Sequence, residues 1–288
     1  MENFDAWIGK KETQYDFSNA RPVQMMQALL NQDDASLNVL PHLYHWFYFL
    51  PIVDGKEIAE DGHPKKGSFL PPIPYPRRMW AGGRLEFIQP ISINQKIRRE
   101  SEILKIDFKQ GKSGDMYFVT VKHSIYAEDQ LAIIEEHDIV YRDTTSQVQI
   151  QTASKSTTTT QTQSLNAHHY SFKVNFPVDE VALFRYSAIT FNGHRIHYDR
   201  PYATQVEGYP GLIVHGPLLA TLLIHTFQTQ NPTKDISSFE FRAVNPVFDF
   251  NDFNICADVH TEDAQLWIEK EQGQICMKAK VAFKGELS

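Results

Sequence analysis

The stretches FRYSAITFNGHRIHYDRPYA (184–203) and GLIVHGPLLATLLI (211–224) decide how this chain is read. The first places His194 and His197 three residues apart beside an Asn-Gly pair, in a chain that has only 12 histidines. The second predicts a helix. Gly216-Pro217 stands where helices begin, since proline's missing N–H does no harm in the first turn. Leu218, Leu219, Leu222, Leu223 and Phe227 then recur at helical spacing with no acid among them. A polar cluster laid over a buried apolar helix is the pattern to be explained.

Outward from this region, the chain falls into unequal halves. Residues 144–165, TTSQVQIQTASKSTTTTQTQSL, consist largely of Thr, Ser and Gln, too little apolar surface to offset the entropy of ordering, and read as a linker. Before it, RLEFIQP (84–90) leads into the strand-like QKIRRESEILKIDF, the turn QGKSGD and the β-rich MYFVTVKHSIYAED. After it, FEFRAVNP (239–246) leads into FNICADV and then LWIEKEQGQICMKAKVAFKG, a hairpin turning at Glu271–Gly273. The same order occurs twice: a strand carrying Leu/Phe-Glu-Phe, a proline soon after, then antiparallel strands. In the first half the place of the apolar helix is taken by an aromatic stretch and a proline-rich loop ending in RRMW (77–80). The fold class expected is α+β, with two antiparallel sheets, each wrapped around a central helix and packed as a pseudo-dimer rather than as one continuous sheet.

Composition narrows the function. A formal charge of −7 with no long basic run argues against a nucleic-acid partner. No run approaches the roughly 18 apolar residues that span a bilayer, so a soluble, cytoplasmic chain without membrane contact is expected. Cys256 and Cys276 form no CxxC and belong to no set with zinc-ligand spacing, so no metal site is expected, and no GxGxxG or P-loop points to a nucleotide cofactor.

Taken together, TFNGHRIHYD, PGLIVHGPLLATLL, DGHPKKGSFLPP and RRMWAGG resemble the MaoC-like hot dog dehydratases. The similarity is to the two-hot-dog branch that includes 3-methylfumaryl-CoA (mesaconyl-CoA) hydratase and the mitochondrial-type 3-hydroxyacyl-thioester dehydratases. It implies a degenerate N-terminal hot dog domain over 1–143, the linker at 144–165 and a C-terminal domain over 166–288 that carries the catalytic loop. It also implies reversible addition of water to an enoyl-CoA with no metal or redox cofactor, the CoA thioester being the substrate. Acyl carrier protein is the alternative thioester donor, and a homodimer is compatible with the family. The family's signature, Gly-Asp-x-Asn-Pro-Leu-His, lays its histidine on His197, its aspartate on Asn192 and its Asn-Pro on His194-Arg195. The acid is therefore missing.

The residues support this assignment unevenly. His197 has the side chain suited to proton transfer near neutral pH. Asn192 is no base; it either orients water and substrate or only makes a turn. Gly216 carries the backbone N–H that the resemblance makes the oxyanion donor, as the free N–H groups and dipole of a helix start allow. His194 and Arg195 are candidates for CoA phosphate or a second carboxylate, with Arg195 equally an ion-pair partner. Asp199 reads first as a helix cap. His215 shapes the loop before the helix, and Tyr198 and Tyr209 read as walls. Arg77, Arg78 and Trp80 either line a CoA tunnel or form a basic loop entering a strand. A thioesterase and a thioester-binding module without catalysis are the rival functions; the helix lacks the carboxylate that hot dog thioesterases commonly place there, and Asn192 favours the module.

Overall fold

The computed structural model describes residues 3–32, 37–111, 114–142 and 169–286. The segment 144–165, read as a linker, lies outside the described residues. The first half contributes β1 (Lys11–Phe17), α1 (Arg21–Leu29), β2 (Arg77–Phe87), β3 (Lys96–Gly111), β4 (Gly114–Ala127) and β5 (Gln130–Arg142). The second contributes β6 (Phe172–Asn175), α2 (Glu180–Thr190), α3 (Gly216–Gln230), β7 (Lys234–Ala243), β8 (Phe253–Val259), β9 (Asp263–Lys270) and β10 (Gln274–Glu286). The expected hairpin turn at Glu271–Gly273 is present, with Gly273 at φ 74°.

The ten strands form one antiparallel sheet in the order β1-β3-β4-β5-β2-β7-β10-β9-β8-β6. This corrects the expectation of two separate sheets packed together. The halves join edge to edge, β2 pairing with β7, because each leaves one edge strand unpaired and the other half's edge satisfies its N–H and C=O groups. The repeat is nonetheless real. Reading outward from the seam, β2, β5, β4, β3 and β1 match β7, β10, β9, β8 and β6 in order. Leu85 and Phe239, which open the two Leu/Phe-Glu-Phe copies, sit opposite each other in the register, both buried. Equivalent residues thus meet on a pseudo-two-fold axis.

The halves differ in what their sheet faces cover. In the second, α3 is buried from Leu218 to Ile224 and again at Thr226 and Phe227, and packs against β7, β8, β9 and β10. A helix apolar all round needs such enclosure. In the first, the aromatic stretch forms one 3-10 turn, Tyr44–Phe47, and no longer helix. The proline-rich segment fills in beyond it, with fully buried Ile73 clustering with Ile103, Val119, Val121 and Tyr141 from β3, β4 and β5. Two shorter helices were not expected. In α2, Asp179 caps the start by accepting the Ala182 N–H at 2.8 Å, and α1 carries a proline in its first turn. Among the described residues no helix is long and apolar enough to cross a membrane. Cys256 and Cys276 are buried, unpaired strand residues.

Candidate active site

The loop after α2 is shaped by its own polar groups. Helix α2 ends where Phe191 turns left-handed, at φ 49°. Asn192 Oδ1 then accepts the His194 N–H at 3.0 Å, the turn reading of that residue, and Arg195–His197 form a 3-10 turn. Asp199 caps the next turn by accepting the Tyr202 N–H at 3.1 Å. Arg195 donates to Asp199 from Nε and Nη2 at 2.9 and 2.7 Å and lies over the Tyr202 ring, so it holds the loop as an ion-pair partner. Tyr198 is 46% exposed and donates to Gly193 O, which puts it on the outer side of the loop rather than in a buried wall.

Beneath this loop the structure brings four imidazoles into a row. His197 is buried and donates from Nδ1 to Ile213 O at 2.7 Å, which leaves Nε2 with its lone pair. Its ring stacks on that of His215 at 3.7 Å. His215, fully buried at the start of α3, bonds through Nε2 to Ser187 Oγ at 2.8 Å. On the other side His194 meets His197 edge-on at 5.4 Å, and His63 lies 4.1 Å from His194. His63 Nδ1 in turn bonds Asp61 Oδ2 at 3.0 Å.

His63 and Asp61 belong to the first half and were not singled out in the sequence. The signal was there in the DGHP of residues 61–64, part of a stretch that carried the family resemblance. Their loop touches the second half directly, since Asp61 O accepts the Arg195 N–H at 2.9 Å. Asp61, His63 and His194 are also the described residues whose ligand atoms gather closely enough to hold a metal ion, within 4.8 Å of one another.

Burial sets the electrostatics. It pushes His197 down to about 4 and His194 to about 2, the latter helped by the neighbouring His63 and His197, and holds His215 well below 6.5. Burial works to raise Asp61, but the His63 hydrogen bond and the charges of His63 and His194 bring it to about 2. His63 is lowered by burial, against the hydrogen bond it donates to Asp61 and with the charge of Arg78.

The three residues named on β2 have different settings. Arg77 is tied up, its Nε on Glu207 Oε2 at 3.0 Å and its Nη2 on Glu207 O at 2.9 Å, so it joins the halves. Arg78 is half-buried beside Tyr141, and its charge bears on His63, His137 and His194. The Trp80 ring lies tilted against that of His137, 3.9 Å between centroids, and its backbone oxygen lies 3.9 Å from where a Cβ on Gly216 would stand. Strand β2 therefore borders the N-terminus of α3, whose first N–H groups have no partner within the helix.

A buried imidazole with a free Nε2, next to a helix start, suits proton transfer beside a developing oxyanion. Residues 43–249 match the family model described as hydroxyacyl-thioester dehydratase type 2. The chain belongs to this family. It is a hydro-lyase acting on acyl thioesters, a hydratase or dehydratase. Among relatives, it is 41% identical over 283 residues to a mesaconyl-C(4)-CoA hydratase of Chloroflexus aurantiacus, covering 97% of this chain and 98% of that one. It is 28% identical to the mitochondrial hydroxyacyl-thioester dehydratase type 2 of Schizosaccharomyces pombe, over 88% of this chain and 91% of the relative. Among solved structures, a Mycobacterium tuberculosis protein described as having a double hot dog fold superposes with a TM-score of 0.56 at 10% identity, covering 96% of both chains. The one-sheet architecture is that double hot dog. In this member of the family, the signature loop and the α3 start converge in one half, and the other half adds His63, Asp61 and Arg78.

Proposed function

We propose that the chain catalyses reversible hydration of an enoyl-CoA with a short, branched or dicarboxylic acyl group, 3-methylfumaryl-CoA (mesaconyl-C4-CoA) being the preferred candidate. The observation that carries this reading is His197, fixed through Nδ1 to Ile213 O with Nε2 free, beside the start of α3. In the hydration direction His197 Nε2 takes the proton of a water whose oxygen attacks Cβ. The Gly216 N–H stabilises the charge that moves onto the thioester oxygen. A proton delivered to Cα completes the addition. Asn192 holds the loop that presents His197, His215 buttresses the imidazole by stacking, and Arg78 receives a CoA phosphate or a second carboxylate of the acyl group, with Trp80 as the adjoining wall.

Residues 1–143 act as the degenerate hot dog domain that completes the tunnel, 144–165 as the linker and 166–288 as the catalytic domain. These steps call for no cofactor. A cytoplasmic location, acyl carrier protein as an alternative thioester donor and a homodimer complete the reading. The direct test is water addition to crotonyl-CoA and 3-methylfumaryl-CoA, with release of free CoA followed in parallel. Hydration without CoA release is expected; CoA release alone would make the chain a thioesterase, and binding with neither reaction a thioester-binding module. His197→Ala should lower turnover by about two to four orders of magnitude with little change in binding of a substrate analogue. Near-normal turnover would remove His197 from the chemistry.

A further inference from the structure

Hydration of an enoyl thioester moves two protons, one off the water and one onto Cα. His197 accounts for the first, and Asn192 has none to give. We infer that His63, held and charge-balanced by Asp61, is the second proton-transfer group and delivers the proton to Cα. The inference rests on the hydratase reading and extends it to a catalytic group from the other half of the molecule.

Geometry sets His63 against the catalytic loop with its carboxylate partner in place. The loop carrying His63 is pressed onto the catalytic loop: a Cβ on Gly62 would lie 1.8 Å from Gly193 O, and Gly62 has φ +90°, so only glycine fits and the two backbones touch. Asp61 receives both polar groups of His63, the N–H at 2.9 Å on Oδ1 and the ring Nδ1 at 3.0 Å on Oδ2. That fixes the carboxylate, the ring and its tautomer, and turns Nε2 away from Asp61. Of the four imidazoles in the row, only His63 has a carboxylate partner; His197 has a carbonyl and His215 a hydroxyl. His63 is therefore the imidazole of the row whose protonated form would have a carboxylate hydrogen-bonded to it. The acid absent from position 192 is thus supplied by residues 61–63, as an aspartate–imidazole pair.

The step balances as follows. One water O–H bond breaks, its proton passing to His197 Nε2 while the oxygen pair forms the bond to Cβ. The Cα=Cβ π pair moves toward the thioester oxygen to give the enolate, which then takes the proton of His63 Nε2 at Cα. His63 is left neutral and His197 protonated, and passage of one proton from His197 to His63 through solvent restores the start.

The test separates the two protons. Exchange of the α-hydrogens of butyryl-CoA in D2O uses only the group at Cα, whereas hydration of crotonyl-CoA needs both. His63→Gln should lose exchange and hydration, each by about a hundredfold or more, while His197→Gln should lose hydration but retain measurable exchange. Asp61→Asn provides a second, milder variant. The groups facing His63 are Asp61, Arg78, His194 and His197, and Asp61→Asn removes the one carboxylate that holds its ring. The variant's kcat for hydration should fall about tenfold with KM unchanged, a split that a purely structural role would not produce. Folding is checked by circular dichroism and by CoA binding. Exchange or hydration within threefold of the parent in folded His63→Gln overturns the inference, as does a parent that hydrates crotonyl-CoA without exchanging butyryl-CoA. Hydration surviving in His197→Gln would instead overturn the role of His197 and leave the His63 result to stand by itself.

Discussion

Asn192 accepts the His194 N–H through Oδ1, and an aspartate in its place would accept the same bond. Asn192→Asp should therefore keep the loop and the thermal midpoint while adding a negative charge next to the acyl pocket. Like charges a few ångströms apart in a poorly hydrated site repel by several kcal/mol. Its effect on kcat/KM should be about tenfold or more worse with 3-methylfumaryl-CoA than with crotonyl-CoA. Equal effects on the two would remove the argument that asparagine stands here to admit a second carboxylate. At this scale the sequence was informative where the partners are close along the chain, as at His197 and at His215-Gly216. For His63 and Asp61 it offered only the DGHP stretch that carried the resemblance, because their neighbour His194 is 131 residues on from His63 (194 − 63) and no local spacing records that contact. For Arg77 the sequence allowed two readings, and only the position of Glu207 decides between them.

Among the elements, α3 and the long strands were legible because their apolar periods are strong and uninterrupted. Strand β8 coincides with the FNICADV run, and β3 and β4 flank the expected QGKSGD turn. The helix α2 was not legible, since its buried face mixes Leu183, Tyr186, Ser187 and Ile189 and so includes a polar residue that serves His215. Nor was the loop carrying residues 58–64, whose form depends on contact with the second half. Its pivot is Gly62. Gly62→Ala cannot keep φ +90° without strain, and its methyl would meet Gly193 O. Turnover should fall at least about tenfold as His63 and Asp61 withdraw, whereas stability should drop by only about 1–3 kcal/mol because the loop adds little to the main core. A variant as active as the parent would show that the loop is not needed in place.

For the whole molecule, several histidines are buried in neutral form. Burial holds His42, His137 and His197 at about 4, His123 at about 3 and His194 at about 2. Each binds its proton more weakly folded than unfolded. The stability each contributes is thus complete above about 6.5 and is lost as pH falls toward the folded value, at up to about 1.4 kcal/mol per pH unit per group. Glu135, held at about 2 by its His45 hydrogen bond and nearby histidine charges despite burial, stays ionised across that window. The thermal midpoint should fall steeply between pH 7 and 5, with several protons taken up on unfolding; a flat midpoint by calorimetry would contradict it. The joined sheet has a separate consequence, one of timing. Leu85 waits for a partner, Phe239, that lies 154 residues further on (239 − 85). At translation rates of about 5–20 residues per second, the β2 edge leaves the ribosome roughly 8–30 s before β7 exists to cover it. Arg77, Arg78 and Arg84 on that strand discourage another nascent chain from adding itself there, and Gly82 and Gly83 weaken it as a template until the proper strand arrives.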